Sequence, residues 1–257
     1  LVGKTYGTGG NAVTEICDYN IQGWLAEKRS SYFDLKLRYI DPRKAETQAS
    51  YTGNIMECDW AHIGTDADNS LNTYTFAYDG LSRLTGSKRY IDDIASDQFV
   101  ERGLSYDKNG NIQTLQRVAD GTLADDLAYR YSGNQLTAIS GTTSGTYTYD
   151  ANGNMIHDGA NNLALFYNHL NLIEKAEQDG ATLVKYSYLS DGTKLSATDA
   201  SGNGLFYLGS LVYERKGGHL RLESTPFSGG RFVAAQTDSP RMLAFHHISD
   251  HLGSTRV

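Results

Sequence analysis

The 257 residues carry 23 Lys and Arg against 30 Asp and Glu, for a formal charge of −7, with 39% apolar side chains. No basic run exceeds the pairs Lys28-Arg29, Arg43-Lys44 and Lys88-Arg89, which argues against a nucleic-acid-binding face. No stretch reaches the ~20 apolar residues of a membrane-spanning helix. Gly is abundant at 27 residues, Pro scarce at 3, and 18 Tyr stand against 8 Phe. That ratio suits half-buried sheets in which the ring packs and the hydroxyl stays in water.

Leu1 to Tyr6 shows no signal-peptide pattern, and both ends read as cut from something longer. Residues 1–18 form a leading strand-and-turn region, and its Gly3 to Gly10 stretch lacks the spacing of a phosphate loop. Cys17 and Cys58 are too few for a disulfide framework and are expected to be two thiols, buried or free, a single pairing between them being the alternative. Phe33-Asp34-Leu35-Lys36-Leu37-Arg38-Tyr39 alternates apolar and polar and predicts a strand with Phe33, Leu35 and Leu37 on one face. Residues 41–50 and 87–98 are the only places where a turn of helix is expected. Tyr74, Phe76 and Tyr78 share one face of the next strand, with Thr73, Thr75 and Ala77 opposite. The pairs Tyr129/Tyr131, Tyr147/Tyr149 and Tyr186/Tyr188 repeat the scheme.

Residues 19–245 are repetitive. A Tyr, often followed by Asp, precedes a Gly/Asn-rich turn and then an aliphatic residue. Copies begin at Tyr19, Tyr78-Asp79, Tyr106-Asp107, Tyr131, Tyr149-Asp150 and Tyr188, with weaker ones at Tyr51, Tyr167 and Tyr207. From Tyr51 they recur every ~18–28 residues, in the range of repeat architectures. In Asp107-Lys108-Asn109-Gly110-Asn111 the middle three residues suit a type I turn that ends in a left-handed residue. Gly110 supplies that residue, as do Gly153 and Gly23, whereas Ser82 stands where Gly is most comfortable. A three-residue loop sets Tyr106 opposite Ile112 and Tyr149 opposite Met155. A two-residue loop sets Tyr131 opposite Leu136, and a four-residue loop, Ser190 to Thr193, sets Tyr188 opposite Leu195. Each Tyr–aliphatic pair contributes about 0.2–1 kcal/mol. The fold class expected is all-β: sequential antiparallel hairpins forming a large curved, shell-like sheet.

These residues resemble the RHS or YD-repeat family of bacterial toxins, wall-associated proteins and teneurins. The most specific segment is Ser249-Asp250-His251-Leu252-Gly253-Ser254-Thr255-Arg256-Val257, which is similar to the strand that opens the RHS-associated core region. Residues 246–257 are accordingly assigned to that core. The resemblance implies a hollow shell of hairpins around a C-terminal, toxin-like domain of the same polypeptide, in a secreted or cell-surface protein. It carries no catalytic residue onto this chain, because the family's cleavage motif lies outside these residues.

Candidate sites weigh against chemistry. The turns at Asp107–Asn111 and Asp150–Asn154 have Gly fourth rather than sixth, unlike an EF-hand loop. His246, His247, Asp250 and His251 cluster in sequence, but His247 and His251 on a strand stand ~13 Å apart, too far to share one metal. Asp250 and Arg256 are expected to pair. Cys58 and His62 lie on one strand, which splays them. The expectation is therefore a scaffold that is not an enzyme and carries no cofactor or metal. Its tyrosines Tyr78, Tyr106, Tyr131, Tyr149 and Tyr188, with Asp79, Asp107, Gly110, Asp150, Gly153, Asp250, His251, Gly253 and Arg256, serve as repeat-motif residues. The alternative is a surface module in which exposed aromatic faces bind glycans or a partner protein. Self-association through the sheet edges, including residues 245–257, is also expected.

Overall fold

The computed structural model describes residues 2–7, 12–64, 68–235 and 241–256. The described residues form 23 strands and no helix. Within each sheet, strands adjacent in sequence pair antiparallel, giving one open sheet of 8 strands and one of 15. The chain divides into two compact units: residues 1–128 with 246–257, and residues 129–245.

The first unit holds the 8-stranded sheet. Its strands are β1 (Val2–Tyr6), β2 (Val13–Tyr19), β3 (Leu25–Arg29), β4 (Phe33–Arg38), β5 (Glu57–His62), β6 (Asn72–Tyr78), β7 (Leu84–Ile91) and β8 (Ile94–Ser96). β9 (Val100–Tyr106) and β10 (Ile112–Ala119) follow as a hairpin, and β11 (Thr122–Ser132) leads out of the unit. The alternation in β4 is obeyed residue by residue: Phe33, Leu35 and Leu37 are buried and Asp34, Lys36 and Arg38 less so. With Tyr39, Cys58 and Ile248 they form the core, against which Val13, Trp24, Leu25, Ile55, Trp60 and Phe76 pack. Burying a side chain such as Phe33, 1% exposed, contributes about 1.5–3 kcal/mol.

The second unit is a run of hairpins: β12 (Gln135–Gly141), β13 (Gly145–Tyr149), β14 (Met155–Asp158), β15 (Leu163–Tyr167), β16 (Ile173–Gln178) and β17 (Ala181–Tyr188). Then come β18 (Lys194–Thr198), β19 (Gly204–Leu208), β20 (Leu211–Lys216), β21 (His219–Phe227), β22 (Gly230–Ala234) and β23 (Met242–His246).

Four expectations are corrected. Residues 87–98 are not helical; they are the end of β7, a tight turn at Asp92 and Asp93, and β8, with both aspartates at positive φ. Residues 41–50 contain a single turn and no helix: Thr47 N–H donates to the Lys44 carbonyl, while Glu57 accepts from the amides of Arg43 and Lys44. Tyr188 faces Lys194, not Leu195. Leu189 takes the place of the turn's Asp, its N–H donating to the Thr193 carbonyl and its own carbonyl accepting from Gly192 N–H. The loop is therefore three residues long, like its siblings. Finally, of residues 245–257 expected at an edge, Phe245 and His246 end β23, the edge strand of the larger sheet, whereas residues 248–256 form a turn folded onto the first unit.

Candidate functional site

The turn itself is the repeating device. At Asp107 the backbone N–H donates to the Asn111 carbonyl at 2.9 Å, and Gly110 N–H donates back to the Asp107 carbonyl at 3.2 Å. Oδ1 of Asp107 accepts from the amides of Asn109 and Asn111 at 2.8 and 2.9 Å, and Oδ2 from Nδ2 of Asn111 at 2.8 Å. A carboxylate suits this position because its two oxygens accept from two amides and a third donor at once, an Asx-turn chemistry. These donors outweigh burial and hold Asp107 below the usual carboxylate range, the Asn111 side chain contributing most. Asp150 repeats every bond with Asn152 and Asn154. Asp79 repeats it with Leu81 and Arg83, the Arg83 guanidinium taking the third position at 2.7 Å. Asn20, Asn168 and Asp199 head the same turn.

The left-handed position is filled as the turn requires: φ is 89° at Gly110, 87° at Gly153 and 78° at Gly23. Ser82 adopts 62° and Asn171 57° without that freedom. Behind the turns headed by Asp79, Asp107 and Asp150 the Tyr–aliphatic pairs form, Tyr78 opposite Leu84, Tyr106 opposite Ile112 and Tyr149 opposite Met155. Tyr131 lies on β11, separated from β12 by Gly133-Asn134, with Gly133 at φ 61°.

The tyrosine hydroxyls are where sequence reasoning falls short. They do not stay in water. Tyr78 donates to the Ile55 carbonyl at 2.8 Å, Tyr106 to Leu84 at 2.6 Å, and Tyr149 to Leu136 at 2.9 Å. Tyr167 donates to Met155 at 2.8 Å, Tyr188 to Ile173 at 2.8 Å, and Tyr39 to Leu25 at 2.9 Å. In each case the acceptor is the aliphatic residue that closes the preceding turn. These six bonds each tie a hairpin to a turn before it, and burial raises the phenol pKa of Tyr39, Tyr78, Tyr106, Tyr167 and Tyr188. Arg83 adds a second tie, its guanidinium 4.6 Å from the Tyr106 ring and its Nη1 donating to the Asp107 carbonyl. Phenylalanine fills the same volume but cannot make these bonds, which accounts for the excess of Tyr over Phe.

The segment read from sequence as the opening strand of the core is a further copy of the turn. Asp250 N–H donates to the Ser254 carbonyl and Gly253 N–H to the Asp250 carbonyl, with Gly253 at φ 86°. Oδ1 of Asp250 accepts from the amides of Leu252 and Ser254, and Oδ2 pairs with Arg256 at 2.7 Å. The expected Asp250–Arg256 pair is present. Burial works to raise the Asp250 pKa, but the bonds from Arg256, Ser254 and Leu252 outweigh it and hold the carboxyl low. His251 lies within the turn, and partial desolvation of its ring lowers its pKa.

On the other face of the first unit's sheet lies an ion cluster the sequence did not suggest. Glu57, 0% exposed, accepts from the amides of Arg43 and Lys44 and lies 3.2 Å from Arg38 Nε. Asp59 pairs with Arg38 at 3.1 Å and accepts from the Thr73 hydroxyl at 2.7 Å. The available signal was the Glu57-Cys58-Asp59 alternation, which puts both acids on one face. Beside this cluster is a cleft of about 830 Å³, whose lining includes Glu46, Gln48, Lys88, Tyr90, Asp97 and Arg102.

Cys17 and Cys58 are free thiols. Burial first, then Asp59, pushes Cys58 up to about 12, so it stays a thiol at neutral pH. His62 is engaged with the rings of Phe33 and Trp60, each 5.6 Å away. Among the described residues no three His, Cys, Asp or Glu side chains converge as metal ligands, and no helix is long and apolar enough to cross a membrane.

Tandem hairpins with mostly Asp- or Asn-headed turns, six of them tied through a tyrosine to a turn before, define an RHS/YD-repeat protein. The profile of the teneurin YD-shell family matches residues 60–203, more than half of the chain, and the chain belongs to that family. No curated protein matches it. Two solved structures are similar, both at 14% identity over 96% of this chain. They are the crystal structure of TcdB2-TccC3-TEV, at a TM-score of 0.35, and that of TcdB2-TccC3 without hypervariable C-terminal region, at 0.34. The chain spans 17% of the length of each.

Proposed function

We propose that this chain is a wall segment of a secreted or cell-surface shell that encloses or presents a toxin-like C-terminal domain of the same polypeptide, and that it performs no chemistry itself. In this reading residues 19–245 form the wall, residues 1–18 lead into it and residues 246–257 open the core. The observation that carries it is the tyrosine ladder. A chain that commits its aromatic side chains to fastening each hairpin to the last is built to hold a continuous sheet, and the family is a shell family. The turns spend their carboxylates on their own backbone, leaving few titratable groups to converge on a substrate within the ~3 Å that acid–base chemistry needs.

The test is imaging by cryo-electron microscopy of a polypeptide in which this chain precedes its C-terminal domain. The reading expects that domain's density inside a wall of hairpins; density outside a closed or flat sheet would contradict it. A second reading, a glycan- or protein-binding module, is favoured by the cleft around Tyr90. Glycan-array binding that is lost in Tyr90→Ala would support it.

A further inference from the structure

The turn at residues 250–254 differs from its siblings in having no strand ladder behind it. Only Ser249 and Thr255 bridge, and Arg256 N–H donates to the Ile248 carbonyl at 2.7 Å. Its own bonds make it self-contained, and it seats on a sheet face instead. Ile248, 4% exposed, enters the core beside Phe33, Leu35, Leu37 and Cys58. Lys28 Nζ, itself bound to Glu15 at 2.9 Å, donates to the Ser249 carbonyl. The Arg256 guanidinium lies 5.4 Å from the centre of the Trp60 ring, and His246 meets Tyr6 edge-on at 5.7 Å. A groove of about 440 Å³ between the turn and Trp60, Tyr74 and Phe76 remains open.

In sequence the segment returns to this unit only after residues 129–245, which form the other unit. Nothing but side-chain contacts and single hydrogen bonds holds it there. A preorganised ligand loses little ordering entropy on binding, and a receptor does not distinguish its own copy from another's except by effective concentration.

We propose that the β4–β6 face, with Lys28 and Trp60, is a receptor for the turn His246–Arg256 that is also engaged in trans, by the same segment of a second copy of this chain. Specificity comes from the buried Ile248 anchor, the Asp250–Arg256 pair that rigidifies the turn, and the stacking of Arg256 on Trp60. This holds whether or not the shell encloses a cargo.

The experiment opens the site in the full chain with Asp250→Ala/Arg256→Ala and adds a fluorescein-labelled peptide of residues 246–256. Fluorescence anisotropy should report one peptide per chain, with affinity about tenfold or more weaker for a peptide carrying Asp250→Ala, as expected for loss of hydrogen bonds to a charged group. The unaltered chain, its site filled, should bind the peptide much less. Equal binding to both chains, or no binding to the opened chain when its circular dichroism is unaltered, overturns the proposal. Should the double variant fail to fold, Gly253→Val is the second way to open the site. Its new Cβ meets nothing within 4 Å, and only its backbone, at φ 86°, is strained. For the second copy, the opened chain is mixed with a Trp60→Lys chain, whose turn is freed by a cation beside Arg256. Sedimentation should show a 1:1 complex in the mixture and monomers in each sample alone; monomers throughout would refute exchange between copies.

Discussion

Replacing Tyr106 with Phe removes one oxygen from the ladder and leaves the ring, its Ile112 partner and the Arg83 guanidinium 4.6 Å away in place. What is lost is the 2.6 Å bond to the Leu84 carbonyl, whose net worth is about 1 kcal/mol, with a range of about 0.5–1.5. For a unit of this size that corresponds to a fall in Tm of roughly 3–6 °C. Tyr51→Phe is the control, because Tyr51 is 79% exposed and surface changes stay within about 0.5 kcal/mol. Differential scanning calorimetry of the three proteins measures the difference. Alkali supplies an independent readout. Burial raises the Tyr106 phenol above its ordinary value of 10.0, so its contribution is fully present below pH 10 and is lost as pH rises through the raised value. The gap between the parent and Tyr106→Phe should therefore narrow above pH 10. A Tyr106→Phe protein as stable as Tyr51→Phe, or a gap unchanged in alkali, would refute the ladder as a source of stability.

Four other perturbations probe the turns and the buried charges. Ser82→Gly should raise stability, since the left-handed strain of about 1–2 kcal/mol exceeds the entropic cost of Gly, about 0.5–1. Gly153→Val should lower it by about 1–2 kcal/mol; chemical denaturation reads both, and a shift of the opposite sign in either counts against the turn geometry. Glu57→Ala strands two backbone amides and takes one of two carboxylates from Arg38, and should cost about 3 kcal/mol, with hydrogen exchange quickening first at Arg43 and Lys44. Asp250, held below the usual carboxylate range, stabilises its turn above its ordinary pKa of 3.8, and that contribution is lost as pH falls through its lowered value. Protection of the Leu252 and Ser254 amides should drop in acid; protection that is flat down to pH 2 would show that the carboxylate does not hold the turn.

The hairpins were legible because turn chemistry is local. Asp107 to Asn111 contains both the acceptor and the left-handed Gly, so loop length and register follow from five residues. At Tyr188 the same reasoning slipped by one residue, because Leu189 carries no side-chain acceptor and the backbone alone closes the turn. Asp250-His251-Leu252-Gly253-Ser254 has the same spacing as Asp107 to Asn111, yet its likeness to a core strand obscured it; the spacing was the better guide. The hydroxyl ladder was not legible, since its acceptors are backbone carbonyls 12 to 23 residues upstream, which no side-chain pattern marks. The Glu57 cluster escaped for a related reason. Its partners, Arg38 and Arg43, lie across a loop whose path the sequence does not specify.

The central claim, that these hairpins work as an enclosing wall, is tested most directly by limited proteolysis of a polypeptide carrying this chain ahead of its C-terminal domain. The same polypeptide lacking residues 19–245 is digested alongside. The account predicts that the C-terminal domain survives protease in the first and is cut promptly in the second. Equal digestion of that domain in both would contradict it.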